Sequence, residues 1–147
     1  MSTSKAGPQL VRIGAVAEQI GISERTLRYY EEYGLVAPSA YSRGGARLYD
    51  EKAIDRVSRI RTLQSLMGFN LEEIKDVLKA EDNLESIRSA YRRESRPKKE
   101  LLEAAVSNLE DLRAKVTEKQ ARLQEFQDDL QAKLDKIQVL MDDRSEE

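Results

Sequence analysis

The chain contains no cysteine and no histidine. Disulfides, thiolate or imidazole metal ligation and nucleophile–imidazole pairs are therefore excluded together. A carboxylate-only site survives in principle, but no paired-carboxylate or phosphate-loop motif accompanies the acidic residues. The expectation is a protein that is not an enzyme and carries no cofactor or metal. Aromatic residues are scarce, 5% against 39% hydrophobic, which favours helices over a sheet core. No stretch approaches the roughly 18 consecutive apolar residues of a membrane span, and Met1 to Pro8 lacks the apolar core of a signal peptide. A cytoplasmic location with no membrane partner is expected. Glycine and proline are absent from one region: all 7 glycines lie at or before Gly68, and neither residue occurs after Pro97. That shift marks the main boundary of the chain.

Charge is abundant but concealed in the total. Lys+Arg 25 and Asp+Glu 27 leave a net charge of −2. From Met1 to Leu66 there are ten basic residues against seven acidic, whereas from Glu81 to Glu147 there are thirteen against seventeen. The N-terminal part is basic and the C-terminal part acidic.

Ahead of the boundary the pattern predicts a short strand at Leu10 to Arg12, a helix over Ala15 to Ile20, a turn at Gly21-Ile22 and a second helix from Glu24 to about Tyr33, ended by Gly34. Leu35-Val36 and Arg47-Leu48-Tyr49 flank Arg43-Gly44-Gly45, which reads as a hairpin with glycines at its tip. Asp50 caps a helix to Met67 with Ile54, Val57, Ile60, Leu63 and Leu66/Met67 at helical spacing, closed by Gly68. Asn70 caps a short helix carrying Leu71, Ile74, Val77 and Leu78, and a separate weaker helix holds Leu84, Ile87 and Tyr91. Ser95 and Pro97 stand as cap and first-turn residues of a last helix of about 45 residues, roughly 65 Å long.

With Ile13 as the first position of a helix-turn-helix window, the buried positions fall on Val16, Ile20, Ile22, Leu27 and Tyr30. The position where the two helices touch must be small and is Ala17. The position between the helices must relax the backbone and is Gly21. Ser23, Glu24, Arg25, Arg28 and Tyr29 are then left facing outward, offering two guanidinium groups and a phenol where a major groove would lie. The glycine-tipped hairpin brings Arg43 and Arg47, with Tyr41 and Tyr49 nearby, to flank that helix and grip phosphates. Arg56, Arg59 and Arg61 are secondary phosphate candidates, of which at least one is expected only to solvate its helix.

Ile13-Gly14-Ala15-Val16-Ala17, Arg25-Thr26-Leu27-Arg28-Tyr29-Tyr30-Glu31, Gly34-Leu35, Gly44-Gly45-Ala46-Arg47-Leu48-Tyr49 and Gly68-Phe69-Asn70-Leu71-Glu72-Glu73-Ile74 together resemble the MerR family of bacterial regulators. The resemblance covers Val11 to Leu78 by motif; beyond that it is one of position and character. It implies a winged helix-turn-helix whose Arg25, Thr26, Arg28 and Tyr29 meet double-stranded DNA, with Arg43 and Arg47 in the wing; Ser23 and Tyr41 join the candidate DNA contacts by their outward and hairpin positions. It also implies a dimer on an inverted repeat that distorts promoter DNA for RNA polymerase. One departure is Ala46, where similar sequences often carry an aromatic residue. Sensing through cysteines is excluded. With only Met141 to Glu147 after the expected helix, no drug-enclosing domain is expected, and Tyr91 and Phe126 are candidates to line a small pocket unless packed in the core.

Along the last helix Leu102, Leu109, Val116, Leu123, Leu130 and Ile137 repeat every seven residues, and Ala105, Leu112, Lys119, Phe126, Lys133 and Leu140 form the second column. So narrow a seam needs a partner helix, most simply that of a second chain. Lys119 and Lys133 weaken the second column, and polar core residues of this kind can fix pairing register. The resemblance implies an antiparallel pair; the sequence itself leaves the orientation open.

The fold expected is mainly α: a winged helix-turn-helix with a small β-hairpin wing, connecting helices and a long C-terminal coiled-coil dimerisation helix. The expected limits are a flexible tail at 1–9, a DNA-binding domain at 10–80, a connector at 81–96, the dimerisation helix at 97–142 and a disordered tail at 143–147. The expected function is a homodimeric, sequence-specific transcription regulator. A coiled-coil adaptor that binds another protein, and an architectural DNA binder without sequence preference, remain as alternatives.

Overall fold

A computed structural model describes residues 9–146 of the chain. The expected N-terminal tail, apart from residue 9, and the last residue of the expected C-terminal tail lie outside the described residues. The elements in order are β1 (Val11–Arg12), α1 (Ile13–Ile20), α2 (Glu24–Glu32), β2 (Ala40–Tyr41), β3 (Arg47–Tyr49), α3 (Glu51–Ser65), α4 (Leu71–Arg92) and α5 (Lys99–Ser145). The chain divides into two compact units, the first ending at Asp82 and the second beginning at Asn83.

In the first unit α1 and α2 are joined through Gly21, whose φ of 87° is open to glycine at little cost. Its N–H and that of Ile22 both close on the Ala17 carbonyl, at 2.8 and 3.0 Å. Ser23 then starts α2 by accepting the Thr26 N–H on its hydroxyl at 3.0 Å. Val16, Ala17, Leu27 and Tyr30 are buried where the two helices meet, while the expected core positions Ile20 and Ile22 are only half-buried. Val57, Ile60 and Leu63 of α3, with Ile74, Val77 and Leu78 of α4, complete this core.

The sheet has the antiparallel order β1-β3-β2, with Val11 opposite Tyr49 and Tyr41 opposite Arg47. The hairpin partner of β3 is thus Ala40–Tyr41, not Leu35-Val36. Pro38, which has no N–H to give a ladder, separates the two. Leu35 instead closes α2, its N–H bonded to the Tyr30 carbonyl at 3.0 Å, and both Leu35 and Val36 are buried as irregular chain.

Several helix limits also differ from expectation, α1 beginning at Ile13 rather than Ala15. Helix α3 stops at Ser65, so Leu66 and Met67 are exposed rather than extending its apolar face. The two helices expected after Asn70 are one, Leu71–Arg92. No glycine or proline interrupts it, and its polar middle is satisfied by ion pairs from α3, Asp82 to Arg56 at 2.8 Å and Glu81 to Arg59 at 2.7 Å. Helix α5 starts after Lys98, which makes no side-chain cap, rather than after Ser95, whose N–H closes α4 on the Ala90 carbonyl at 2.9 Å. It runs to Ser145, past the expected end at 142, and Ala105 is its buried residue.

Candidate nucleic-acid interface

Helix α2 presents two different faces. Leu27 and Tyr30 are buried, whereas Ser23, Glu24, Arg25, Arg28 and Tyr29 are exposed and Thr26 is half-buried. This separation follows from helical spacing, since residues three and four apart share a face. Arg25, Thr26, Arg28 and Tyr29 line one open recess with Tyr30, Glu32, Gln64 and Leu71. Ser23 is occupied as the helix cap and also lies 2.9 Å from the Thr26 hydroxyl, so its side chain serves the backbone first. Arg28 makes only a loose pair with Glu24, 3.6 Å apart with both side chains about half exposed, and remains available to a stronger partner.

The tyrosines behind this face are held at fixed orientations. Tyr29 stacks on Tyr33 with ring centroids 6.3 Å apart and 28° between planes. Tyr33 donates to Glu72 at 2.9 Å and carries the Lys75 ammonium 5.7 Å from its ring centre. Tyr30 donates to the Gln64 amide oxygen at 2.6 Å. Burial raises the Tyr30 phenol above its ordinary value, opposed by the nearby charge of Arg61. The hydrogen bond to Glu72 raises Tyr33.

The hairpin tip is built on Ser42, which accepts the Ala46 N–H on its hydroxyl at 3.0 Å and the Gly45 N–H on its carbonyl at 2.9 Å. Gly45 has a φ of 85°, the conformation that lets the chain reverse here. Tyr41 and Arg43 project from this hairpin into solvent. Arg47 does not stand free: its Nε lies 2.7 Å from Glu31 Oε1, with the Glu31 side chain only 10% exposed. Tyr49 donates to the other oxygen of Glu31 at 2.5 Å. Burial, then the Glu31 hydrogen bond and charge, push the Tyr49 phenol far above the ordinary range.

The remaining expected residues divide clearly. Arg56 is tied to the Leu35 carbonyl at 2.6 Å and to Asp82, and Arg59 is tied to Glu81. Arg61 is exposed and has no ion pair among the described residues. In the second unit Leu102, Leu109, Val116, Leu123, Leu130 and Ile137 are all exposed, as is Phe126, while Leu112 is half-buried. Tyr91 and Phe126 are 66% and 60% exposed. Among the described residues no helix is long and apolar enough to cross a membrane, and no acidic cluster could hold a metal ion.

Glu31 was absent from the expected site. Its signal was its place on α2 four residues after Leu27, on the stripe that faces the core, where a carboxylate must find partners.

Comparison with known proteins agrees with this geometry. Residues 11–81 match the family described as MerR HTH family regulatory protein. The HTH-type transcriptional regulator YfmP of Bacillus subtilis is 31% identical over 123 residues, 82% of this chain and 88% of that protein. Nodulation protein NolA of Bradyrhizobium elkanii is 43% identical over 83 residues, which is 55% of this chain but 37% of that longer protein. The solved structure of HiNmlR, a MerR family regulator lacking the sensor domain, bound to promoter DNA, is similar at 25% identity and a TM-score of 0.55, covering 86% of this chain and 88% of that one.

Proposed function

The chain belongs to the MerR HTH family of regulatory proteins, and on that premise we propose that it is a homodimeric transcription regulator acting on an inverted repeat within a promoter. The observation that carries this reading is the clean division of α2, with Leu27 and Tyr30 in the core and Arg25, Arg28 and Tyr29 outward. A helix of that kind enters the major groove with its exposed residues on base edges and phosphates. Thr26, Tyr41, Arg43, Arg47 and Arg61 would take the neighbouring backbone. The exposed column of α5 supplies the contact with a second copy, and two copies read two half-sites. Residues 10–80 would bind DNA, 81–96 connect and 97–142 pair. RNA polymerase is the further partner, met in the cytoplasm on a spacer distorted by the dimer. The relative bound to promoter DNA supports the choice of duplex over a protein ligand.

The test is selection of bound sequences from a random duplex library, followed by titration of the winner against a scrambled duplex at one fixed physiological salt. The expected result is enrichment of an inverted repeat with at least about a thousandfold preference. Equal affinity for both duplexes would overturn sequence-specific regulation in favour of an architectural role, and salt-independent failure to bind either would overturn DNA binding itself.

A further inference from the structure

We propose that Glu31 is a positioning residue for DNA binding, a buried carboxylate on α2 that fixes the wing through Arg47 and Tyr49. The inference rests on the DNA-binding reading above and adds the device that makes two reading elements act as one. Both partners of Glu31 belong to β3, the central strand of the sheet, and Tyr41 of the outer strand stands opposite Arg47. The strand from which the hairpin tip extends is therefore tied to α2 through the Glu31 carboxylate, one oxygen accepting the Tyr49 hydroxyl at 2.5 Å and the other in an ion pair with Arg47 Nε, 2.7 Å away but without hydrogen-bond alignment.

Such a carboxylate is stable only with its partners in place, because an unpaired charge with this little exposure is costly. The three groups consequently assemble together or not at all. Arg47 holds Nε against Glu31 as an ion-pair contact while its side chain stays 39% exposed. The outer N–H groups of a guanidinium remain free to meet a phosphate when one edge is fixed. Glu31 thus orients the fork of Arg47 and the tip bearing Arg43, without itself touching DNA.

Charge and position predict opposite signs for Glu31→Gln. A carboxylate beside a polyanion opposes binding, so its removal should tighten binding if charge alone matters. Positioning requires that its removal weaken binding.

The experiment uses the full chain and the most enriched duplex from the selection, with thermal unfolding to verify that each variant is folded at the assay temperature. Glu31→Gln is expected to weaken binding about tenfold with no change in the salt slope, since no phosphate contact is deleted. Added to an Arg47→Ala/Tyr49→Phe background, it is expected to cause no further loss. Tyr49→Phe, which removes one hydroxyl and keeps the buried ring, is the second variant and is expected to weaken binding by a smaller factor, again without moving the slope. Unchanged or tighter binding by Glu31→Gln, its full loss repeated in the double background, or unchanged binding by Tyr49→Phe would overturn the proposal. A wild-type chain that selects no duplex overturns the DNA-binding reading first, before any variant is made.

Discussion

Glu94 is the one non-glycine residue among those described with a positive φ, 55°. It follows α4, and the hydrogen bonds around it explain why: its own N–H reaches the Tyr91 carbonyl at 3.0 Å and the Ser95 N–H reaches the Ala90 carbonyl at 2.9 Å. These two bonds satisfy the last carbonyls of the helix, and closing them requires a left-handed residue between. Gly21 and Gly45, at 87° and 85°, meet the same requirement without a Cβ. For an L side chain the conformation costs about 1–2 kcal/mol. Glu94→Gly is therefore expected to stabilise the protein by about 1 kcal/mol, partly offset by the greater freedom glycine has in the unfolded chain. Thermal unfolding would read this as a rise of a few degrees with DNA affinity unchanged. A lowered melting temperature would show that contacts of the Glu94 side chain outweigh the backbone strain.

At the scale of elements, α3 carries three arginines that the sequence presents as equals and the structure does not. Arg56 and Arg59 spend their guanidinium groups on Asp82 and Glu81 of α4, whereas Arg61 is exposed, has no ion pair among the described residues, and its charge reaches the Tyr30 phenol of α2. An arginine already in an ion pair releases fewer counterions from DNA than an unpaired one. Arg61→Ala is expected to reduce the salt slope of duplex binding by about one unit, and Arg59→Ala to leave it unchanged. Equal reductions would mean that the Arg59–Glu81 pair opens on DNA. The same helices show how much of the fold could be read in advance. The first two helices and their turn were legible because Ala17, Gly21 and the apolar spacing are local requirements. The continuity of α4 was not, since its polar segment around Glu81 and Asp82 looks like a break until the arginines opposite it are known. The outer strand differs from the expected one for a related reason: Leu35 and Val36 have strand-like composition, but the core of the unit captures them. The outward residues of α2 were legible from periodicity, while the link from Glu31 to the wing joins residues far apart in sequence and needed the fold.

At the scale of the whole molecule, the acidic second unit has to account for a long helix whose leading apolar column is exposed throughout, from Leu102 to Ile137. Full burial of a leucine-sized side chain is worth about 1.5–3 kcal/mol, so a column of such residues strongly favours association. Orientation of the pair then decides what the dimer can read, because it fixes where the two DNA-binding units stand relative to a shared helix axis. The absence of native cysteine makes the question directly measurable. We expect an antiparallel pair, so chains carrying Leu102→Cys mixed with chains carrying Ile137→Cys should give disulfide-linked mixed dimers on mild oxidation. Each variant alone should remain largely uncrosslinked, since like ends would be held far apart by helices of this length. Efficient linking of Leu102→Cys to itself would instead establish a parallel pair, and the inverted-repeat spacing found by selection would then have to be explained by a different placement of the two winged units.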